Sequence, residues 1–299
     1  MILCCGEALI DMLPRESAGG EPAFAPYAGG AVFNTAIALG RLGAPSGYFG
    51  GLSSDLFGRM LVAELEASGV DHHFCPRSAR PTTLAFVTLT GGHAQYAFYD
   101  ENTAGRMLTE AELPLQAPGI DALFFGGISL VSEPQAESYA AFCAQAGDRP
   151  VMIDPNIRPG FITDEARYRA RLEAMLGRAD IVKVSDEDMD WLGTAPEALL
   201  TGGAALVAVT RGAEGVDLVT RAGTRRVAAR RVTVVDTVGA GDTFNAGLLA
   251  GLHKAGLLSR QALASAPLDA LEAAAELGVA AAAVTVGRAG ANPPWADEL

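Results

Sequence analysis

The sequence predicts an α/β protein built on a mostly parallel sheet with helices on both faces. Two observations carry this. Short apolar runs alternate with helix-length segments along most of the chain, Gly47–Leu52 followed by Phe57–Ala67 being the first clear pair. Several of these runs then end in polar residues, as Val151-Met152-Ile153 ends in Asp154 and Ile181-Val182-Lys183-Val184 ends in Ser185. Strands buried on both faces read this way, and their carboxyl ends are where open α/β sheets hold ligands.

Taken in order, Ile2–Cys5 reads as a buried strand, and Asp11 lies just past the apolar stretch that follows, placed either to face a cleft or to serve as a turn or cap residue. Residues 13–28 are rich in Pro, Gly and Ala and read as an excursion from the main fold. Gly29-Gly30 then lead into a helix from Ala31 to Leu42, stopped by Gly43 and Pro45, with Asn34 in its first turn. Pro81–Thr90 and Ala94–Tyr99 have strand composition around Gly91-Gly92 and predict a β-hairpin, either a flap over the sheet edge or simple decoration. The polar run Asp100–Arg106 leaves this hairpin, and Arg106 either faces a ligand or pairs with Asp100 or Glu101 at the surface. The segment reads as too polar to be core.

The βα rhythm resumes with strand Ala122–Phe125, helix Pro134–Ala146 and strand Val151–Ile153. In Asp154-Pro155-Asn156-Ile157-Arg158, Asn156 and Arg158 alternate with apolar neighbours, so both point into one crevice. A helix over 163–177 and the strand at Ile181 lead to Ser185-Asp186-Glu187-Asp188, whose acidic residues also suit the start of an exposed helix. Leu206–Val209 runs into Thr210-Arg211-Gly212-Ala213-Glu214-Gly215, a ligand loop or a plain turn into Val216–Thr220. Val227–Val235, with its β-type run Val232, Val234, Val235, leads to Asp236-Thr237-Val238-Gly239-Ala240-Gly241-Asp242-Thr243-Phe244. A helix opening there aims free amides and the positive end of its dipole at an anion, with Asp242 in the first turn. A phosphate beside a carboxylate suggests phosphoryl transfer, Asp242 accepting the proton of the attacking hydroxyl. Leu268–Val286 closes the pattern as an Ala-rich helix, before Asn292.

Composition narrows the partners. The 299 residues are 49 % hydrophobic, enough for one large domain spanning 1–299. A formal charge of −13, from 22 basic and 35 acidic residues, disfavours nucleic acid and anionic membranes. Cys4, Cys5, Cys75 and Cys143 form no C-x-x-C pair, and the four His have no metal-ligand spacing, so a reducing cytoplasm is expected. The N-terminus lacks a basic leader, and no apolar run reaches the length of a membrane span. The motifs of P-loop, dinucleotide-binding, serine-hydrolase and zinc-protease chemistry do not occur.

The run D-T-V-G-A-G-D-T-F closely resembles the C-terminal signature of the ribokinase-like (PfkB) carbohydrate kinases, and G-G-A-V-F-N-T-A-I-A-L-G-R-L-G resembles their N-terminal one. The resemblance implies a three-layer ribokinase-like sandwich with a small β lid contributed by about 12–28 and 81–105. It implies ATP-dependent phosphorylation of a sugar hydroxyl, with Asp242 as base, the Gly239, Ala240 and Gly241 amides on the transferring phosphoryl group, and Arg158 near it. Asp11, Gly29, Gly30, Asn34 and Asn156 would contact the sugar. Lys183, Ser185, Thr210, Gly212, Gly215 and Asn292 would serve the nucleotide. The family's N-x-x-E stands here as Ser185 and Asp188, so Asp188 would act on Mg²⁺ through water; a monovalent cation, K⁺, is permitted near Asp236. The lid implies a homodimer. Asp100–Arg106, with Arg106 against the sugar, resembles a segment of bacterial fructokinases and favours D-fructose, phosphorylated at O6. The alternatives are 2-keto-3-deoxygluconate, ribose or a nucleoside, or a sugar-sensing protein that kept the fold.

Overall fold

The structure is a computed structural model that describes residues 1–90 and 93–299. In chain order its elements are β1 (Ile2–Cys5), β2 (Leu9–Glu16), β3 (Pro22–Gly29), α1 (Ala31–Arg41), β4 (Ser46–Phe49), β5 (Leu52–Ser53) and α2 (Leu56–Ala67). There follow β6 (Arg77–Ser78), β7 (Leu84–Thr90), β8 (His93–Tyr99), β9 (Ala122–Gly126), α3 (Gln135–Ala144), β10 (Val151–Asp154), α4 (Glu165–Leu176), β11 (Ile181–Ser185), α5 (Asp186–Leu192) and α6 (Pro196–Gly202). The last are β12 (Leu206–Thr210), β13 (Val216–Thr220), β14 (Gly223–Val227), α7 (Ala240–Lys254), α8 (Arg260–Ala264) and α9 (Leu268–Val286).

Among the described residues the main sheet has eight strands in the order β14-β13-β12-β11-β10-β9-β1-β4. It is parallel from β4 to β12, and only β13 and β14 run antiparallel to their neighbours. Side chains alternate across a strand, so each strand supplies both helical layers. Ile2, Cys4, Phe124 and Met152 pack with α1, α2, α7 and α9, whereas Leu3, Cys5, Phe125 and Ile153 pack with α3 and α4. This is the predicted three-layer sandwich. The continuous apolar runs of β1, β9 and β10 follow from cover on both faces.

A second sheet, β3-β2-β7-β8, grows from the carboxyl end of β1 and stands over the first. The excursion at 13–28 is thus half of the lid: β2 pairs antiparallel with β3 and parallel with β7. The predicted turn at Gly91-Gly92 lies outside the described residues. The chain leaves β1 toward β4 on one side and returns to β9 on the other, so the sheet changes direction at β1. The crevice at such a point lies at the carboxyl ends of the strands.

Two expectations need correction. Val232, Val234 and Val235 form no strand: they are 44 %, 63 % and 60 % exposed in an irregular passage from β14 to α7. β-branched composition makes a strand only where a neighbouring strand takes up its backbone, and here the Val235 amide donates instead to the Val286 carbonyl at the end of α9, at 2.9 Å. Nor is all of Asp100–Arg106 too polar for the core, although Glu101 and Asn102 are exposed. Thr103 and Ala104 are buried, Thr83 and Thr103 donate to the Asp100 carboxylate at 2.8 and 3.1 Å, and the Ala104 amide donates to Pro81. Paired polar groups are acceptable inside a protein, which is why polarity misled here.

Candidate active site

A cleft of about 920 Å³ lies between the lid and the carboxyl edge of the main sheet. Its far end is α7. Gly239 precedes the helix with φ 77°, a left-handed conformation that suits glycine, and no side chain caps the helix. The amino terminus of α7 therefore meets the cleft with its field uncovered. Gly239, Gly241 and Asp242 all line the cleft; Ala240 begins the helix between them.

Asp242 is 8 % exposed. Burial raises its pKa to about 7, the charges of Asp154 and Glu7 adding to the effect, while the hydrogen bond from Asn34 and the charge of Lys183 oppose it. Asn34 Nδ2 donates to Asp242 Oδ2 at 2.9 Å, and Thr35 Oγ1 donates to the Asp242 carbonyl at 3.3 Å. Asn34 thus stands behind the carboxylate from the first turn of α1 rather than among the groups lining the cleft.

Lys183 Nζ donates to Asp154 Oδ2 at 3.0 Å, and Asn245 Nδ2 donates to the same oxygen at 2.7 Å. This buried triangle ties β10, β11 and α7 together beneath the anion end. Burial works against the charge of Lys183, but Asp154 and then the more distant carboxylates Asp188 and Asp242 hold its pKa above the ordinary value. A methyl group on Gly241 would sit 3.3 Å from Lys183 Nζ, so the ammonium lies at the start of α7.

At the lid end, Asp11 lines the cleft from β2, and burial alone raises its pKa to about 6. Gly29 pairs with Leu9 at the end of β3, and Gly30 lines the cleft as the residue before α1. Asn156 and Arg158 line the cleft after β10. Asn156 has φ 43°, a conformation Asn tolerates, and its amide donates to Asp154 Oδ1 at 3.2 Å. Arg158 is exposed, its Nη1 donating to the Ile157 carbonyl at 3.1 Å.

Ser185 and Thr210 line the cleft at the ends of β11 and β12, and Lys183 lines it from within β11. Gly212 and Gly215 form the turn beyond Thr210, outside the cleft lining. Asn292 is held elsewhere: Arg41 Nη1 donates to its Oδ1 at 2.9 Å. Asp236 bridges two loops, accepting from the Val238 amide at 3.0 Å and the Gly290 amide at 2.9 Å. Asp188 lines the cleft as well, but its oxygens already accept from the Ile157 amide at 2.7 Å and from the Ser185 amide and hydroxyl at 2.9 Å each. Arg106 lines a neighbouring cavity of about 520 Å³, with its Nε donating to the Glu133 carbonyl at 3.1 Å and Asp100 3.8 Å away.

Three residues escaped the sequence reading: Glu7, Asp154 and Asn245. Each is buried and polar, and each finds its partner far along the chain. Glu7 and Asp154 stand just after a predicted strand, which was the available signal.

A buried carboxyl group with its pKa raised to about 7, in the first turn of a helix whose amino terminus is open, can take up a proton beside a bound anion. The family profile of the pfkB family carbohydrate kinases matches residues 1–298. This chain belongs to that family. It is 53 % identical over 278 residues to a fructokinase of Rhizobium leguminosarum bv. trifolii, covering 91 % of this chain and 85 % of that one. The structure superposes on a fructokinase with bound ATP from Xylella fastidiosa with a TM-score of 0.89 at 30 % identity, covering 97 % and 93 % of the two chains. A fructokinase from Vibrio cholerae O395, in a form with fructose, ADP and calcium bound, matches with a TM-score of 0.80 at 27 % identity, over 97 % and 94 %. The carbohydrate-kinase family member is therefore a phosphotransferase acting on an alcohol group.

Proposed function

We propose that this chain transfers the γ-phosphoryl group of ATP to O6 of D-fructose. The observation that carries the reading is Asp242, buried at the open amino terminus of α7 and sharing one cleft with Asp11. Asp242 takes the proton of the attacking hydroxyl as the new O–P bond forms. The bond between the γ-phosphorus and the β–γ bridging oxygen breaks, and ADP leaves with that electron pair. The Gly239–Gly241 amides and Lys183 meet the charge on the transferring group, and Arg158 reaches it from the cleft rim. Asp11 accepts from paired sugar hydroxyls, Asn156 and Gly30 border the ring, and Asn34 steadies the base from behind. Thr210 and Ser185 border the nucleotide. The choice of fructose leans on the named relatives and on the 100–106 segment.

Among the described residues no three His, Cys, Asp or Glu side chains converge on a metal position. The donor set therefore suits an ion that arrives on the nucleotide: Mg²⁺ would ride on the phosphates, with Asp188 reaching it through water, and would neutralise phosphate charge. Asp236, fixed between two loops, is where a monovalent cation such as K⁺ would bear on the anion loop. Four buried free cysteines suit a reducing cytoplasm, and no described helix is long and apolar enough to cross a membrane. The outer face of the lid carries Phe24, Phe86 and Tyr99 in edge-on contact at 5.0 and 5.5 Å, Phe24 being 43 % and Tyr99 63 % exposed. We assign this strip to a homodimer contact.

The test is ADP release measured with ATP, Mg²⁺ and a panel of acceptors: fructose, ribose, 2-keto-3-deoxygluconate, a nucleoside and water alone. Fructose should give the highest kcat/KM. A higher value for another acceptor overturns the choice of sugar, and no release with any acceptor overturns the kinase reading.

A further inference from the structure

Glu7 is 6 % exposed and stands two residues past β1, where the chain turns from the main sheet into the lid. Helix α1 starts at Ala31 after Gly30, which has no side chain to cap it. Its first amides are served instead from twenty-four residues away. Glu7 Oε1 accepts from the Ala31 amide at 3.0 Å, and the Glu7 carbonyl accepts from the Phe33 amide at 3.3 Å. The other carboxylate oxygen accepts from the Ser129 amide at 3.2 Å, in the turn that follows β9. Gly127 in that turn has φ 68°, and a Cβ there would lie 2.1 Å from Glu7 Oε1. The backbone is folded closely around this one carboxylate.

We propose that Glu7 is a positioning residue of the phosphoryl-transfer site: it caps α1 across the cleft floor, so that Asn34, one turn on, is held against Asp242. The inference rests on the kinase reading above. Its logic is geometric. Asn34 reaches Asp242 from α1, while α1 is fastened at its amino terminus chiefly through Glu7. A carboxylate at a helix amino terminus both satisfies free amides and opposes the dipole. Fastening the 127–130 turn with the other oxygen closes the same wall, since Ile128 also lines the cleft. Charge adds to this. Glu7 contributes to the raised pKa of Asp242, and burial raises its own to about 7. The other groups near Glu7 are Tyr48 and Tyr139, both of whose hydroxyls donate to the Gly6 carbonyl, at 2.7 and 3.2 Å.

The experiment compares the wild-type chain with Glu7→Gln and Gly127→Ala. The first keeps shape but offers a donor where an amide needs an acceptor; the second keeps the charge and pushes the carboxylate aside. Three readouts are taken. In both variants kcat should fall about tenfold, the effect of roughly one lost charge-assisted hydrogen bond on the barrier, with the ATP KM unchanged. The acid limb of kcat/KM should move to lower pH in Glu7→Gln, because a negative neighbour of Asp242 is gone. Hydrogen exchange should quicken at the Ala31 or Ser129 amide. Wild-type kcat with an unmoved acid limb overturns the proposal. A fall in activity accompanied only by a lower Tm, with limb and exchange unmoved, overturns it too. Should the wild-type chain phosphorylate no sugar, the kinase reading fails by itself, and amide exchange with an NMR titration of the Asp242 carboxyl still decides the role of Glu7.

Discussion

At the residue scale the proposed chemistry turns on Asp242, and its environment makes two measurable demands. With a pKa raised to about 7, the group is protonated and inactive below neutrality. Only the carboxylate accepts a proton, so kcat/KM should rise with pH through an apparent pKa near 7; a profile flat from pH 5 to 8 would deny Asp242 the role. Asp242→Asn should cost roughly 10²- to 10⁴-fold in kcat while fructose and ATP still bind by calorimetry. Asp11 and Asn34, grouped together from sequence, should now part. Asp11→Ala should raise the fructose KM, leaving hydroxyls unpaired at roughly 1–3 kcal/mol. Asn34→Ala should act mainly on kcat and shift the acid limb upward, because Asn34 donates to the carboxylate itself. Steady-state kinetics over a pH series separates the two. The sequence could nominate both residues because each follows a glycine or strand signal, but the direction of Asn34 depends on a helix 208 residues away.

At the scale of elements, most of the architecture was readable from periodicity. Ile2–Cys5 and Leu268–Val286 match their predicted limits because buried runs and uninterrupted helices leave little choice of register. The misreadings share a cause: local composition was asked to report a long-range fact. Val232, Val234 and Val235 have strand chemistry without a partner, and within the polar run Asp100–Arg106 the buried Thr103 and Ala104 are accommodated because partners come from Thr83, just before β7, from Pro81 and from the 133 turn. It follows that replacing Asp100–Arg106 by a Gly/Ser linker would lower Tm, whatever it does to selectivity. The lid makes the clearer test. Its outer strip of Phe24, Phe86 and Tyr99 should hold two chains together, so Phe24→Asp should give a monomer by light scattering, with fructose binding weakened as the lid loses its support. A wild-type chain that is already monomeric at high concentration would remove the dimer.

For the whole molecule, the cleft is a stability liability. Glu7, Asp11 and Asp242 all have pKa values raised by burial, to about 7, 6 and 7. A carboxyl with a raised folded pKa is ionised in the unfolded chain first, so the folded state binds more protons between the two values and stability falls as pH rises through that window. The window runs from the ordinary carboxylate range near 4 up to about 7. Asp242→Asn removes one contributor. Its Tm should match wild type near pH 4 and exceed it increasingly up to pH 7, then stay higher by a constant margin; a calorimetric pH series checks this. An equal gap at every pH would mean that the carboxylate is not strained by its site.

Among the described residues α1, α5 and α7 all begin at this cleft; Glu7 serves the first amides of α1 and Ser185 caps α5, while α7 keeps its own amino terminus open. The anion-holding capacity of the cleft is thereby concentrated at α7, while the lining elsewhere carries the carboxyl groups of Asp11 and Glu7. An acceptor enters neutral and is charged by the reaction. On the proposed function, this asymmetry should draw the phosphates of ATP to α7 and weaken the binding of sugars that arrive already phosphorylated, which would give the cleft a direction of traffic.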